Sequence, residues 1–135
     1  MKLSTKGRYG IRAMYELALE YGKGPLSIKE IAARQSIPEA YLVLPLKREG
    51  LVTAPRGASG GYRLSRPPKE TSVGAILRAL EGPLAPVACV LEEEGSCENA
   101  DSCAMHKLYK RIHQGLNDML NAITLADMLE DKPCH

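Results

Sequence analysis

Residues 27–50, SIKEIAARQSIPEAYLVLPLKREG, decide the fold. The stretch opens on a capping box, in which Ser27 stands at the cap of a short helix and Glu30 follows three positions later. After a tight link, Pro38 suits the first position of a second helix, and Gly50 suits the position just beyond its end. Two short helices joined in this way are typical of a helix-turn-helix, which places its second helix in the major groove of DNA.

Two β-capable segments follow this motif, at residues 51–54 and 62–65, and a glycine-rich loop separates them. Such a pair predicts a β-hairpin. Directly after a helix-turn-helix, a hairpin is typical of a wing, whose loop would bring Arg56 close to a narrow minor groove. The alternative is a plain surface hairpin whose glycines only satisfy the geometry of the turn.

Helices are predicted on both sides of this central region. Ser4 or Thr5 caps an amphipathic first helix. Further helices are predicted at residues 72–80, from about residue 102 onwards, and after the cap residue Thr124. The predicted apolar face of the first helix comprises Ile11, Met14, Tyr15, Leu17, Ala18 and Tyr21.

The long helix that begins near residue 102 carries a narrow apolar stripe at near-heptad spacing. Such a stripe either packs on the core of its own domain or forms a seam with another helix in a dimer. The predicted fold is therefore mainly α with a small β-hairpin. The stripe consists of Leu108, Ile112, Leu116, Met119 and Ile123.

Charge is distributed unevenly along the 135 residues. Residues 1–70 hold 13 Lys/Arg and 6 Asp/Glu, whereas residues 71–135 hold 5 and 10. A basic first half is expected of a surface that meets phosphates, although a solvated mixed surface is the alternative. The N-terminus has no apolar signal segment, and no uncharged stretch is long enough to span a bilayer. We therefore predict a cytoplasmic protein without a membrane partner.

Three cysteines and a histidine form the spacing Cys89-x7-Cys97-x5-Cys103-x2-His106. In a reducing cytosol, clustered cysteines favour metal binding over disulfides. The spacing is looser than the tight pairs of structural zinc sites, which favours an iron–sulfur cluster and leaves zinc as the alternative. Cys134 is predicted to be a tail thiol rather than a ligand.

Cys103 and His106 lie three residues apart at the predicted start of the long helix. This spacing places both side chains on one face, and the helix N-terminus favours the thiolate that metals require. His106 is alternatively a surface histidine of that helix. No catalytic triad, carboxylate pair or phosphate-binding loop is evident in the sequence, so we predict that the chain is not an enzyme.

The order of these motifs resembles the Rrf family of winged-helix transcription regulators, in particular its iron–sulfur cluster regulator (IscR-like) branch. The resemblance covers nearly the whole chain. It is carried by Leu3-Ser4-Thr5-Lys6-Gly7-Arg8-Tyr9-Gly10, Pro38-x2-Tyr41-Leu42, Gly50-Leu51-Val52, Arg56-Gly57-x2-Gly60-Gly61-Tyr62, the Cys/His set, and Ile123-Thr124-Leu125-Ala126-Asp127.

The resemblance implies a homodimer that is crossed by the long helix and binds near-palindromic double-stranded DNA. It also implies a cluster, with 2Fe–2S favoured and 4Fe–4S as the alternative, that changes the affinity for DNA. The implied divisions are a winged helix-turn-helix domain at residues 1–82, a cluster-binding loop at 83–103, and a dimerisation helix with a short closing helix at 104–135.

Several alternatives to a cluster-dependent regulator remain open. They are a nitric-oxide-sensing or cysteine-metabolism regulator of the same family, and a zinc-stabilised winged-helix interaction module. In the nitric-oxide branch, an acidic residue from the partner's first helix completes the site. Arg8 lies near that position here, whereas His106 stands where the cluster regulators have their histidine, which favours the cluster-assembly branch.

The resemblance also implies which residues meet DNA. Between Tyr41 and Gly50 the chain is about three residues shorter than is usual in the family, and it contains Pro45, which a helix interior disfavours. We therefore expect phosphate contacts to be retained and base readout to be reduced. The predicted contacts are Glu39 and Tyr41 at the major groove, Arg56 in the minor groove, and Lys2, Lys6, Arg8, Ser27, Lys47, Arg48 and Arg63 around them.

Overall fold

The computed structural model describes residues 3–36, 44–54, 60–84 and 103–131. Helices account for most of this part of the chain, and the strands form one two-stranded antiparallel hairpin, which confirms the predicted fold class. A 3-10 turn at Pro68–Glu70 lies between the hairpin and the next helix. The elements are α1 (Thr5–Leu19), α2 (Ile28–Gln35), α3 (Leu44–Arg48), β1 (Val52–Thr53), β2 (Arg63–Leu64), α4 (Val73–Glu81), α5 (Ala104–Ala122) and α6 (Leu125–Met128).

Helix α1 begins where the sequence indicates, because the Ser4 hydroxyl accepts a hydrogen bond from the Gly7 amide at 3.0 Å. Its end differs from the prediction. The helix stops at Leu19, since Glu20 leaves the helical conformation and Gly22 follows with a φ of 86°. Tyr21 is therefore exposed beyond the helix, and its assignment to the apolar face was wrong.

Helices α1 and α4 pack closely because two glycines of α1 face α4. A Cβ at Gly10 would overlap the Leu80 side chain, and a Cβ at Gly7 would lie 2.5 Å from Oε1 of Glu81. The same Glu81 carboxylate accepts a hydrogen bond from the Ser4 amide at 2.8 Å and another from its hydroxyl. The start of α1 is thus fastened to the end of α4.

The main apolar core lies between α1, α2, α4 and the hairpin. Its members come from helices α1 to α4, from the hairpin region and from α6, which contributes Leu125, whereas α5 contributes none. Burying a side chain of this size fully stabilises the fold by about 1.5–3 kcal/mol. The largest fully buried side chains are Met14, Ile31, Leu46, Val52, Ile76, Leu77 and Leu125.

The hairpin pairs Val52 with Leu64 and places Arg63 opposite Thr53. A further segment joins its β2 side, because Leu26 and Tyr62 exchange backbone hydrogen bonds at 2.8 and 2.7 Å. This bridge connects the wing to the chain that leads into α2. The sequence analysis did not anticipate it.

Helix α5 contacts the rest of the protein through a second, smaller apolar cluster formed by Val73, Leu77, Leu84 and Leu120. From the predicted stripe, Leu116 packs partly against this cluster. The other stripe residues and Met105 remain exposed in the single chain, with exposed fractions from 36% to 56%. Most of the stripe is therefore not packed against the core of its own chain.

Candidate DNA-binding surface and sensor site

The start of α2 is fixed by the predicted capping box. The Ser27 hydroxyl accepts from the Glu30 amide at 3.1 Å, and the Glu30 carboxylate accepts from the Ser27 amide at 3.0 Å. The hydroxyl proton of Ser27 remains available to a phosphate oxygen. At its other end, α2 finishes at Gln35, and the cap residue Ser36 has a φ of 53°, in the left-handed region.

A buried carboxylate holds α2 against α1. Glu16 accepts a hydrogen bond from Nε2 of Gln35 at 2.6 Å and pairs with Nη1 of Arg34 at 3.4 Å. Arg34 also donates to Glu20 at 3.0 Å, and this hydrogen bond is the main cause of the raised pKa of Arg34. Because two carboxylates compensate its charge, Arg34 is less available to phosphates than the other cations of the motif.

Pro45 occupies the second position of α3. An amide proton at this position would have no partner within the helix, so a proline, which has no amide proton, costs no hydrogen bond here. Leu46 is fully buried, whereas Lys47 and Arg48 are exposed in the last turn. Gly50 follows with a φ of 75°, as predicted for the residue beyond a helix end. The predicted base-reading residues Glu39 and Tyr41 lie outside the described residues.

Three further predicted phosphate contacts lie on the surface. Lys6 and Arg8 are exposed in the first two turns of α1, and Arg63 is exposed on β2. None of the three forms an ion pair with another residue in the described ranges. Their charges are therefore available to an anionic partner. Lys2 and Arg56 lie outside the described residues.

One further cation, which was not among the predicted contacts, lies near the wing. Lys23 and Arg63 line the same open groove, which runs between the loop after α1 and strand β2. The signal for Lys23 was present in the sequence, since it stands between Gly22 and Gly24 directly after a helix. Both glycines have a positive φ, which forms the turn that carries this lysine.

The predicted sensor residues Cys103 and His106 are brought together at the start of α5. Cys103 is the cap residue, and its sulfur accepts a hydrogen bond from the His106 amide at 3.4 Å. Nδ1 of His106 is buried and has no hydrogen-bond partner among the described residues. Cys89, Cys97 and Cys134 lie outside those residues, within which no group of three or more potential metal ligands occurs.

The chemistry of this pair suits a metal or cluster. A buried polar nitrogen without a partner costs about 1–3 kcal/mol, and a ligand bond to its lone pair would remove this cost. The Cys103 sulfur is a soft donor, and the His106 amide holds it at the start of α5. The described part of the proposed ligand set therefore fits a soft metal centre.

The whole chain was compared with known proteins. The family model described as Rrf2, iron-dependent transcriptional regulator, matches residues 3–131. The chain belongs to the Rrf2 family. Among curated relatives of this Rrf2 chain, CymR of Bacillus subtilis is 43% identical over 95% of this chain and 89% of the relative. IscR of Sodalis glossinidius is 36% identical over 98% of this chain and 81% of the relative.

Solved structures of Rrf2 regulators have the same fold. CymR, described as the global cysteine regulator of B. subtilis, matches with a TM-score of 0.77 and 40% identity over 98% of this chain and 99% of that one. IscR of T. potens matches with a TM-score of 0.75 and 40% identity, covering 97% and 88%. These proteins are transcriptional regulators rather than enzymes, as predicted, and regulators of the Rrf2 family bind DNA.

No helix in the described part of this Rrf2 protein is long and apolar enough to cross a bilayer.

Removal of one exposed α3 cation gives a direct test of the Rrf2 DNA-binding surface. We expect Lys47→Ala to weaken binding to all promoter sequences alike, and to reduce the slope of log affinity against log salt by about 0.9 per protomer, because one phosphate contact is lost. Fluorescence anisotropy across a salt series measures both quantities. Lys110→Ala, which removes an exposed charge from α5, is the matched control. An unchanged salt slope in Lys47→Ala would remove this residue from the surface.

Proposed function

We propose that this Rrf2-family chain is a homodimeric transcription regulator whose affinity for DNA depends on an iron–sulfur cluster held by Cys89, Cys97, Cys103 and His106. The observation that carries the proposal is the buried, unpartnered Nδ1 of His106 beside the Cys103 sulfur at the start of α5. The resemblance to IscR proteins supports the same ligand set.

The residues of α5 prepare the site for its ligand. The His106 amide of the first helical turn donates a hydrogen bond to the Cys103 sulfur, which fixes the position of that sulfur beside the imidazole. In the tautomer that carries its proton on Nε2, His106 presents a lone pair at Nδ1. When bound, the cluster supplies a centre that changes charge on oxidation or loss. We favour 2Fe–2S, and 4Fe–4S is the alternative.

The exposed apolar face of α5 supports the dimer. Met105, Ile112 and Met119 recur every seven residues and are all exposed, and Leu108 extends the same face. A seven-residue repeat is typical of a seam that packs against a helix with the same repeat. A second copy of α5 provides such a helix, and an exposed strip of this kind is unfavourable in water. We therefore assign this face to the partner subunit.

A dimer built on α5 presents two helix-turn-helix motifs to DNA. The half-sites are expected about one helical turn apart. Lys47 and Arg48 would contact phosphates beside the major groove, while Ser27 would donate to a phosphate from the start of α2. Arg63 would contact a phosphate from β2, and Arg56 of the loop before it is proposed to enter the neighbouring minor groove. A regulator of this kind acts where the DNA is, in the cytoplasm.

Anaerobic purification tests the proposed sensor. The wild-type protein is expected to show visible absorption with bound iron and sulfide. Cys103→Ala and His106→Ala are each expected to lower the iron content by at least about tenfold, since even residues that only support metal ligands change affinity by 10- to 100-fold. Absorption spectroscopy and chemical iron and sulfide analysis provide the measurements.

Cys134→Ala and His135→Ala are the matched controls, because they remove the same functional groups from positions outside the proposed ligand set. Both are expected to retain the wild-type spectrum. A colourless wild-type protein with one zinc ion per chain would contradict the proposal and favour the zinc-stabilised module. A wild-type spectrum in His106→Ala would remove that residue from the ligand set.

A second candidate is a regulator of cysteine metabolism that works without a cluster. The 43% identity to CymR favours it, because the B. subtilis protein is described as a global cysteine regulator. Under this alternative, protein free of iron binds DNA as tightly as the anaerobically purified protein does. Under the cluster proposal, the two forms differ in affinity for the same promoter fragment.

A further inference from the structure

A group of polar side chains joins α4 and α5 to the chain segment that follows α4. Nδ1 of His113 and Nδ2 of Asn117 each lie 2.9 Å from the carbonyl oxygen of Leu84. A carbonyl oxygen only accepts hydrogen bonds, so both nitrogens donate to it, and His113 carries its proton on Nδ1. Asn117 uses its second amide proton for the carbonyl oxygen of His113 at 2.8 Å.

Arg78 extends this group to helix α4. Its Nη1 donates to Oδ1 of Asn117 at 3.2 Å, and its Nη2 donates to Oδ1 of Asn121 at 2.7 Å. The two helices also approach closely here, since a Cβ at Gly74 would overlap Oδ1 of Asn121. We use the name clasp for Arg78, His113, Asn117, Asn121 and the Leu84 carbonyl.

The clasp lies at the point where the chain enters the proposed sensor segment. Leu84 is the last described residue before residues 85–102, which carry Cys89 and Cys97. The other end of that segment joins α5 covalently at Cys103. Both ends of the proposed sensor segment are therefore attached to one helix, covalently at its start and through the clasp about three to four turns further on.

Helix α4 connects the clasp to the DNA-binding surface. It packs against α1, α3 and α5, so its position determines where α3 lies relative to the long helix. The Leu84 side chain is buried between α4 and α5 in the second apolar cluster. A displacement of the chain at Leu84 would leave the His113 and Asn117 donors without their acceptor, which disfavours the displaced arrangement.

From this arrangement, we propose that the clasp couples the state of the sensor segment to the position of α4 and, through α4, to the affinity of α3 for DNA. Asn117 is the central positioning residue, because within the described ranges it hydrogen-bonds to both the Leu84 carbonyl and Arg78. The inference rests on the proposed cluster-dependent function. It adds the residues that carry the signal, none of which belongs to the ligand set.

The test is the ratio of DNA affinities between cluster-loaded and cluster-free protein, measured for the full chain by fluorescence anisotropy. Coupling between two sites usually amounts to about 5- to 150-fold. In Asn117→Ala, the ratio is expected to fall to within about twofold of unity, while the iron content and the visible spectrum remain those of the wild type. Asn117→Gln, which keeps the amide, is expected to restore part of the ratio.

Gln114→Ala is the matched control, because Gln114 lies on the exposed side of α5 and bonds only to Asp118 among the described residues. It is expected to keep the wild-type ratio. If Asn117→Ala does not fold, Asn121→Ala removes one contact of Arg78 and is expected to lower the ratio in the same direction. A purely structural clasp would change the unfolding midpoint and leave the ratio intact.

The outcomes separate the inference from the proposed function. A wild-type protein that takes up no cluster, or whose affinity ratio is unity, overturns the proposed function and the inference with it. A coupled wild-type protein whose ratio persists in both Asn117→Ala and Asn121→Ala overturns the inference alone. Loss of the ratio with an unchanged iron content supports both.

Discussion

In the proposed homodimer, Ile112→Glu is expected to separate the two subunits into monomers. Ile112 lies at the centre of the exposed apolar face of α5, between Met105 and Met119. In a symmetric seam the same position on both chains lies near the two-fold axis, so the introduced carboxylates would face each other and lose their water. The stripe residues carry no side-chain hydrogen-bond donor and no positive charge, so they could not stabilise the two buried carboxylates.

The expected loss of DNA affinity is large, because a monomer binds only one half-site. In a dimer, binding of the first subunit holds the second subunit at a high effective concentration near the other half-site. We expect affinity for a palindromic site to fall by about 100-fold or more. Sedimentation velocity measures the oligomeric state, and anisotropy measures the affinity. Gln114→Glu introduces the same charge on another face of α5 and is expected to remain dimeric. A dimeric Ile112→Glu protein would assign the seam to another surface.

Gly61→Ala is expected to destabilise the protein by about 2–4 kcal/mol, through backbone strain and a steric clash. Gly61 has a φ of 90°, which side-chain-bearing residues rarely adopt. A Cβ here would lie 2.9 Å from both the carbonyl carbon and the oxygen of Leu26, in the bridge that joins the wing to the start of α2. Backbone atoms in a paired bridge cannot move aside as the end of a flexible side chain can.

Gly22→Ala separates the two causes of this loss. Gly22 has a similar φ of 86°, but a Cβ at this position would meet nothing within 4 Å. This variant is therefore expected to lose only the strain term, about 1–2 kcal/mol. Urea unfolding of both variants provides the free energies. Equal losses in the two would show that the contact with Leu26 does not constrain Gly61.

The helix starts could be predicted from the sequence because they depend on contacts within four residues. Ser4, Ser27, Ser72 and Thr124 each accept a hydrogen bond from an amide three positions later. The bridge between Leu26 and Tyr62 joins residues far apart in the chain, so no local pattern indicates it. The end of α1 was misplaced because the apolar spacing continues to Tyr21, although the backbone has already turned at Glu20.

In the candidate site, too, the local contacts could be predicted from the sequence and the long-range contacts could not. Cys103 and His106 lie within one helical turn, so their proximity follows from helix geometry. The clasp was missed, although His113, Asn117 and Asn121 recur every four residues on one face of α5. Their role depends on a carbonyl and a guanidinium that only the tertiary structure brings to them. The buried Glu16, which accepts from Gln35 on another helix, was missed for the same reason.

The burial of Leu125 has a consequence for how the protein is made. This residue is fully enclosed in the main core with side chains from α1 and α2, and Tyr15 of α1 donates a hydrogen bond to the Asp131 carbonyl at 3.1 Å. The nascent DNA-binding part therefore lacks an interior component until the ribosome has added α6. A messenger truncated after the codons of α4 would yield a chain with an open apolar surface, a substrate for chaperones and proteases rather than a free-standing DNA-binding fragment.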